Sequence, residues 1–126
     1  MNPALIDTDI LSEFTKGINA TVAAHAVAYR QLFGRYSVSA VTYMEAVRGY
    51  RQKQATRQLH AFLAAFASEE VLPIDREIAD LAGQIAGELE RIGQPIGTAD
   101  PMIAATALHH GLDQVTGNTA HFERIR

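Results

Sequence analysis

Three acidic side chains stand beside apolar neighbours in three separate segments of the chain: Asp7, Glu45 and Asp100. A carboxylate among apolar residues is costly without a partner, and clustered carboxylates repel each other unless they are protonated or neutralised by a cation. An all-oxygen set, in a chain without cysteine and without histidines at metal-ligand spacing, suits Mg²⁺ or Mn²⁺ rather than Zn²⁺. Such ions commonly serve phosphate substrates, because they activate water and stabilise charge on the phosphate. The residues therefore indicate metal-dependent chemistry on a phosphate group.

The elements that must position these carboxylates alternate between short apolar strands and amphipathic helices. Strands are predicted at Ala4–Asp7, Tyr36–Ser39, Val71–Ile74 and Gln114–Thr116, with a further edge strand within Thr119–Arg126. Helices are predicted at Ile10–Phe14, between Asn19 and Gly34, at Ala40–Arg51, at Ala55–Ala67, between Asp75 and Gly93, and at Ala99–His110. Asp75 and Thr98 are predicted to be the N-caps of the last two helices. This alternation predicts right-handed crossovers and a parallel sheet with helices on both faces. We expect a single α/β domain over residues 1–126, a three-layer α/β/α sandwich around four to five parallel strands.

The predicted strand ends bring polar residues toward one edge of the sheet, where open α/β sheets bind their ligands. Asp7 ends the first strand, and Glu45 lies about one helical turn beyond the end of the second. Asp100 falls in the first turn of its helix, on the apolar face, where the helix dipole favours negative charge. Thr116 and Asn118 leave the end of the fourth strand, which we expect to neighbour the first, and they offer a hydroxyl and an amide to the same cleft.

Each carboxylate also has an ordinary structural explanation. Asp7 suits a helix N-cap, Glu45 suits an ion pair with Arg48, and Asp100 suits a first-turn position favoured by the dipole. Asp9 suits a first-turn helix residue, or a direct or water-mediated contact with the metal. The joint pattern of three such residues directed to one edge favours the metal site over three separate explanations.

The composition limits which classes of binding partner and which cellular compartment are expected for this chain. The formal net charge is −3, which gives no global basic footprint for nucleic acid, so such a partner would need a local patch or a metal ion. Arg48 and Arg51, followed by Lys53 and Arg57, fit contact with RNA phosphates about as well as they fit a solvated helix face. No apolar run approaches the roughly 18 residues that span a membrane, and the N-terminus lacks a signal-peptide pattern. We therefore expect a cytoplasmic protein with no membrane association.

Four segments in this order resemble the PIN-domain proteins of the VapC-type toxin family, and the resemblance covers nearly the whole chain. The segments are Leu5–Leu11, Val38–Glu45, Ile96–Ala105 and Val115–Phe122. The resemblance implies a Mg²⁺-dependent endoribonuclease, with Mn²⁺ as an alternative ion, that acts as the toxin of a type II toxin–antitoxin pair. Its products would carry a 5′-phosphate and a 3′-hydroxyl.

The resemblance also implies roles for individual residues. Asp7 and Asp100 would be direct metal ligands, and Glu45 would bind the metal directly or through water. Where many members carry a fourth acidic residue, this chain has Asn118, with Thr116 nearby. The implied partners are an RNA substrate, a small antitoxin whose tail crosses the acidic cleft, and a second copy of the chain in a homodimer, or a larger toxin–antitoxin assembly.

Two other functions fit parts of the pattern. Asp7 and Asp9, two residues apart after a strand, have the spacing of the nucleophile and acid of an aspartyl-phosphate phosphatase. That enzyme also needs a lysine at a later strand end, and neither Lys16 nor Lys53 is placed there. A non-catalytic RNA- or protein-binding module on the same fold is the other alternative. Binding alone would not require three acidic residues at one edge, so the nuclease is the preferred interpretation.

Overall fold

Four parallel strands form the central sheet of this computed structural model, which describes residues 2–8, 10–11 and 20–115. The strands are β1 (Ala4–Ile6), β2 (Ser37–Ser39), β3 (Glu70–Leu72) and β4 (Asp113–Val115), in the spatial order β3-β2-β1-β4. The predicted parallel sheet and the pairing of the fourth strand with the first are confirmed. The first three strands are one residue shorter than predicted. Both β3 and β4 begin one residue earlier than predicted, because pairing sets where they start: Glu70 pairs with Ser37, and Asp113 pairs with Ala4. The predicted edge strand within Thr119–Arg126 lies outside the described residues.

Helices cover the sheet on both faces, as the alternating pattern predicts. The helices of the described residues are α1 (Ala20–Phe33), α2 (Ala40–Gln52), α3 (Thr56–Phe66), α4 (Arg76–Arg91) and α5 (Ala99–His110). Of the predicted helix Ile10–Phe14, only the first two residues are described, and they belong to a helical turn that follows β1. Within the described part of the chain, no helix is long and apolar enough to cross a membrane.

Consecutive residues of β1 pack on opposite faces of the sheet, as strand geometry requires. Leu5 packs with Val41 at the start of α2 and with Ile103 of α5. Ile6 packs in a separate cluster with Phe62 of α3. Both faces of this central strand are therefore buried, which accounts for its continuous apolar sequence.

Side-chain caps determine where two of the helices begin. The Ser39 hydroxyl accepts hydrogen bonds from the backbone N–H groups of Val41 at 3.0 Å and Thr42 at 3.2 Å, so β2 ends and α2 begins at the same residue. The Asp75 carboxylate accepts from the N–H of Ile78 at 2.9 Å, which confirms the predicted cap of α4. Both caps satisfy N–H groups that the first turn of a helix leaves unpaired.

Helix α1 is attached to the amino end of β1, opposite the end that carries Asp7. The backbone N–H of Ala4 donates to the Tyr29 hydroxyl at 2.9 Å, and that hydroxyl donates to the Ala4 carbonyl at 3.2 Å. Arg30, the next residue, forms a hydrogen-bonded ion pair with Glu69, and this bond raises the pKa of the Arg30 guanidinium. These contacts stabilise the sheet at a distance from the candidate site.

Candidate active site

Asp7 lies directly after β1, with 4% of its surface exposed. Its Oδ1 accepts a hydrogen bond from the backbone N–H of Ile10 at 3.1 Å, and its carbonyl accepts from the N–H of Leu11 at 2.9 Å. The side chain therefore caps the helical turn that follows the strand, one of the roles that its sequence context suggested. This cap holds the carboxylate at the edge where the strands end. The positive end of the turn helps to offset the free-energy cost of burying this charged group.

Glu45 is joined to the segment after β1 by the residue next to Asp7. The Thr8 hydroxyl donates to Glu45 Oε1 at 2.7 Å. Glu45 Oε2 lies 3.6 Å from the Arg48 guanidinium, so the alternative ion pair is also present. The Glu45 side chain is 21% exposed and that of Arg48 is 67% exposed, so the pair opens toward solvent. The sequence did not identify Thr8 as a residue of the site. The signal that could have identified it is its position, because it places a hydroxyl directly after a carboxylate at the end of a buried strand.

Asp100 lies half-buried in the first turn of α5. Helix α5 is followed within a few residues by β4, which runs parallel to β1, so the start of α5 lies at the edge where β1 ends. Ala99, the residue before Asp100, packs against the cluster that contains Leu5.

Thr98 occupies the N-cap position of α5 without a side-chain capping bond, so the predicted Thr98 cap is wrong. The reason is its helical backbone, with φ −99° and ψ −39°, where a capping residue is normally extended.

The three predicted metal ligands thus lie on adjacent elements at one end of the sheet. Within the described residues, no group of three or more Asp, Glu, His or Cys side chains lies close enough to hold a metal ion. A shared ion for Asp7, Glu45 and Asp100 stays a prediction. Mg²⁺ takes oxygen ligands and is usually held in proteins by one or two carboxylates and several waters, so the donor chemistry of these carboxylates fits that ion.

One buried hydroxyl lies one helical turn before Glu45 on the same helix. Thr42 is fully buried in the first turn of α2, and its Oγ1 has no hydrogen-bond partner among the described residues. Buried hydroxyls are normally paired, so a bound water is the partner expected at Thr42.

The remaining candidates divide into two groups. Asp9, Thr116 and Asn118 lie outside the described residues, so their predicted roles stay predictions. Arg48 and Arg51 are exposed on α2, downstream of Glu45 on the same helix. Arg51 makes no ion pair with any residue that the structure describes, so its guanidinium is available to an anionic partner.

Comparison with known proteins gives one consistent result. Residues 4–126 match the PIN domain family. The tRNA(fMet)-specific endonuclease VapC of Shigella flexneri is 41% identical over 93 residues, which cover 73% of this chain and 70% of that protein. The DNA-bound VapBC structure from Salmonella typhimurium matches 99% of this chain and 93% of that chain, with 34% identity and a TM-score of 0.84. The VapBC-1 structure from Haemophilus influenzae matches 97% of this chain and 91% of that chain, with 28% identity and a TM-score of 0.82.

The match to the family extends over nearly the whole chain, and it includes the strand ends and helix starts that carry Asp7, Glu45 and Asp100. Sequence and fold therefore agree with the resemblance found in the four segments. The chain belongs to the PIN-domain family and, within it, to the VapC-type toxins.

Proposed function

We propose that this protein is a Mg²⁺-dependent endoribonuclease and the toxin of a toxin–antitoxin pair. Membership of the VapC family supports a nuclease, since the relative from Shigella flexneri is named an endonuclease specific for tRNA(fMet). The observation that carries the proposal is the placement of Asp7: a buried carboxylate at the end of the central strand, next to the residue that binds Glu45. A buried carboxylate at this edge of a PIN-family sheet is suited to metal-assisted phosphodiester hydrolysis.

In this proposal Asp7 and Asp100 bind the ion directly, and Glu45 binds it directly or through water. When bound, Mg²⁺ supplies water activation and stabilises the negative charge that develops on the phosphate. The Asp7 cap and the Thr8 hydrogen bond orient two of the carboxylates before substrate arrives. Arg48 and Arg51 contact flanking phosphates. The oxygen of water forms a bond to phosphorus and the bond from phosphorus to the ribose 3′ oxygen breaks. The water gives up a proton and the leaving 3′ oxygen takes one up from solvent, so the products carry a 5′-phosphate and a 3′-hydroxyl.

The proposed protein partner is a small antitoxin. The structures from Salmonella typhimurium and Haemophilus influenzae are VapBC complexes, which supports a partner of this kind. An acidic cleft favours a basic antitoxin side chain there, because complementary charges steer and orient association. Such a side chain would compete with Mg²⁺, so we expect the complex to cleave RNA more slowly than the free chain.

We also propose a homodimer, with larger toxin–antitoxin assemblies built from it. Several large apolar side chains remain exposed on the surface, among them Leu32 of α1 and Leu108 of α5. These exposed apolar side chains are the surface that a second copy of the chain would cover. Sedimentation that gives a monomer at every concentration would contradict the homodimer.

The test of the nuclease is cleavage of total RNA by the purified protein in Mg²⁺ and in EDTA, with the cut ends mapped. Purified tRNA is the first defined substrate, because of the name of the Shigella flexneri relative. Asp100→Asn is expected to lose most cleavage and keep the fold. Asp80→Asn is the matched control, since Asp80 is an exposed aspartate of α4 whose described partner is Gln84. Cleavage that persists in EDTA, or in Asp100→Asn at the wild-type rate, would contradict the metal assignment, and RNA binding without cleavage would favour the non-catalytic module.

A further inference from the structure

A cavity of about 380 Å³ opens beside the candidate active site, between helices α2 and α3. Thr8 and Glu45 form its end nearest to Asp7, and Tyr50, Lys53 and Gln58 line the part that leads away from it. Its volume falls within the range of roughly 300–1,000 Å³ that is typical of small-molecule sites. The cavity therefore shares two residues with the candidate site and extends it along α2.

Aromatic side chains give the cavity a firm apolar wall. Phe62 is 4% exposed, and its ring centroid lies 5.7 Å from that of Tyr50, with the two planes tilted by 45°. Phe62 also contacts the ring of Phe66 at a centroid distance of 4.7 Å, so its position is set by the core. A flat, unsaturated group can lie against such a wall, and stacking of a nucleobase on an aromatic side chain does not depend strongly on base identity.

Gly49 leaves the side of the cavity open. It lies inside α2 and lines the cavity, and a Cβ placed on it would meet no atom within 4 Å. The first carbon of a side chain at this position would therefore enter open space instead of clashing with the protein. Residue 49 is thus a position where the cavity can be filled without disturbing the backbone.

The polar residues of the cavity suit an anionic, hydrogen-bonding ligand. The ammonium of Lys53 makes no ion pair within the part of the chain that is described, and the Gln58 amide makes no side-chain hydrogen bond there. An ammonium is a point charge that binds phosphate, and a glutamine amide offers both a donor and an acceptor to a base edge.

We propose that this cavity binds one unpaired nucleobase of the RNA substrate next to the cleaved bond. The base lies against Tyr50 and Phe62, Gln58 contacts its edge, and Lys53 contacts an adjacent phosphate. Sequence-selective RNA recognition generally uses unpaired bases splayed out in this manner. The inference rests on the proposed ribonuclease function and deepens it, because it names the residues that select where the RNA is cut.

Two variants test the cavity, each with a matched control. Gly49→Met fills the cavity with a good helix former, and Gly83→Met makes the same change at an exposed, equally open glycine of α4. Gln58→Ala removes the amide, and Gln84→Ala removes an exposed glutamine of α4. The full-length chain is titrated with AMP, CMP, GMP and UMP in EDTA and followed by amide NMR, and RNA cleavage is measured in Mg²⁺.

In the wild type we expect nucleotides to change the NMR chemical shifts of the amides at position 49 and Lys53. In Gly49→Met we expect the same amide positions to show no nucleotide-induced change. Loss of one stacked base is expected to raise KM for RNA about 5- to 100-fold, while kcat falls less. Gln58→Ala is expected to change which base is preferred at the cut. Both α4 controls are expected to match the wild type in nucleotide binding, KM and base preference.

The outcomes separate this inference from the function on which it rests. If the wild type cleaves no RNA, the proposed function fails, while the nucleotide titration still reports on the cavity. If the wild type cleaves RNA and both cavity variants keep its KM and base preference, the cavity inference is wrong and the function stands. Gly49→Met that loses antitoxin binding but keeps its KM for RNA would also overturn it, because the cavity would then serve the protein partner.

Discussion

The Thr8 hydroxyl donates a 2.7 Å hydrogen bond to Glu45 Oε1 across 37 positions of sequence. Thr8 follows the buried Asp7, and Glu45 lies in the second turn of α2, so this bond connects two acidic segments of the candidate site directly. It orients Glu45 independently of any bound ion, and the pair with Arg48 at 3.6 Å holds the other carboxylate oxygen. The position of Glu45 is thus determined by two contacts, of which only the Arg48 pair is local in sequence.

Removal of this hydrogen bond is expected to slow cleavage. Thr8→Val keeps the shape of the side chain but removes the donor, whereas Thr8→Ser keeps the donor. We expect Thr8→Val to lose about 1–2 kcal/mol of transition-state stabilisation, a decrease of about 5- to 30-fold in kcat/KM, and to need more Mg²⁺ for half-maximal rate. Thr8→Ser is expected to stay near the wild type. Equal kcat/KM values for Thr8→Val and wild type would show that the bond does not position Glu45 for catalysis.

Asp7 combines a structural and a chemical role, and two substitutions separate them. Asparagine caps helices about as well as aspartate, so Asp7→Asn is expected to keep the free energy of unfolding within about 1 kcal/mol of the wild type. Asp7→Ala loses the bond to the N–H of Ile10 and is expected to cost about 1 kcal/mol. Both variants are expected to lose at least about 100-fold in cleavage, because both lack the carboxylate. Urea denaturation and RNA cleavage measure the two effects, and an active Asp7→Asn would limit Asp7 to the cap.

Arg48 and Arg51 are expected to contribute to RNA binding and little to stability. The ion pair of Arg48 with Glu45 is open to solvent, and such pairs are worth about 0–1 kcal/mol. The logarithm of the RNA association constant falls linearly with the logarithm of the salt concentration. Removal of one cationic side chain that binds a phosphate should make this slope less steep by about one. The measurement is RNA binding in EDTA across a salt series for Arg48→Gln and Arg51→Gln. Arg35→Gln, which removes the exposed partner of Glu70 at the amino ends of β2 and β3, is the control and should keep the wild-type slope.

Tyr29 is expected to stabilise the sheet without affecting cleavage. Tyr29→Phe leaves the buried N–H and carbonyl of Ala4 without their hydroxyl partner, which should cost about 1–3 kcal/mol of unfolding free energy. Tyr43→Phe is the control, because the described residues offer the Tyr43 hydroxyl no hydrogen bond. Urea denaturation of the two variants measures the difference. If both are equally stable, the bonds between Tyr29 and Ala4 contribute little to the fold.

The sequence by itself determined the succession of strands and helices along the chain, the parallel sheet, the pairing of the fourth strand with the first, and the cap at Asp75. These features follow from local patterns: apolar runs of strand length, apolar stripes at helical spacing, and a polar residue before a helix. The same patterns placed Asp7, Glu45 and Asp100 near one edge, because carboxyl ends of parallel strands meet there.

Only the tertiary structure decided how these residues are held and what lies beside them. The bond from Thr8 to Glu45, the attachment of Tyr29 to Ala4 and the cavity between α2 and α3 join residues distant in sequence. Their partners depend on how helices pack on the sheet, and packing depends on the shapes of all the side chains that meet there. Local periodicity records which face of a helix is buried, but it does not record which side chain that face meets.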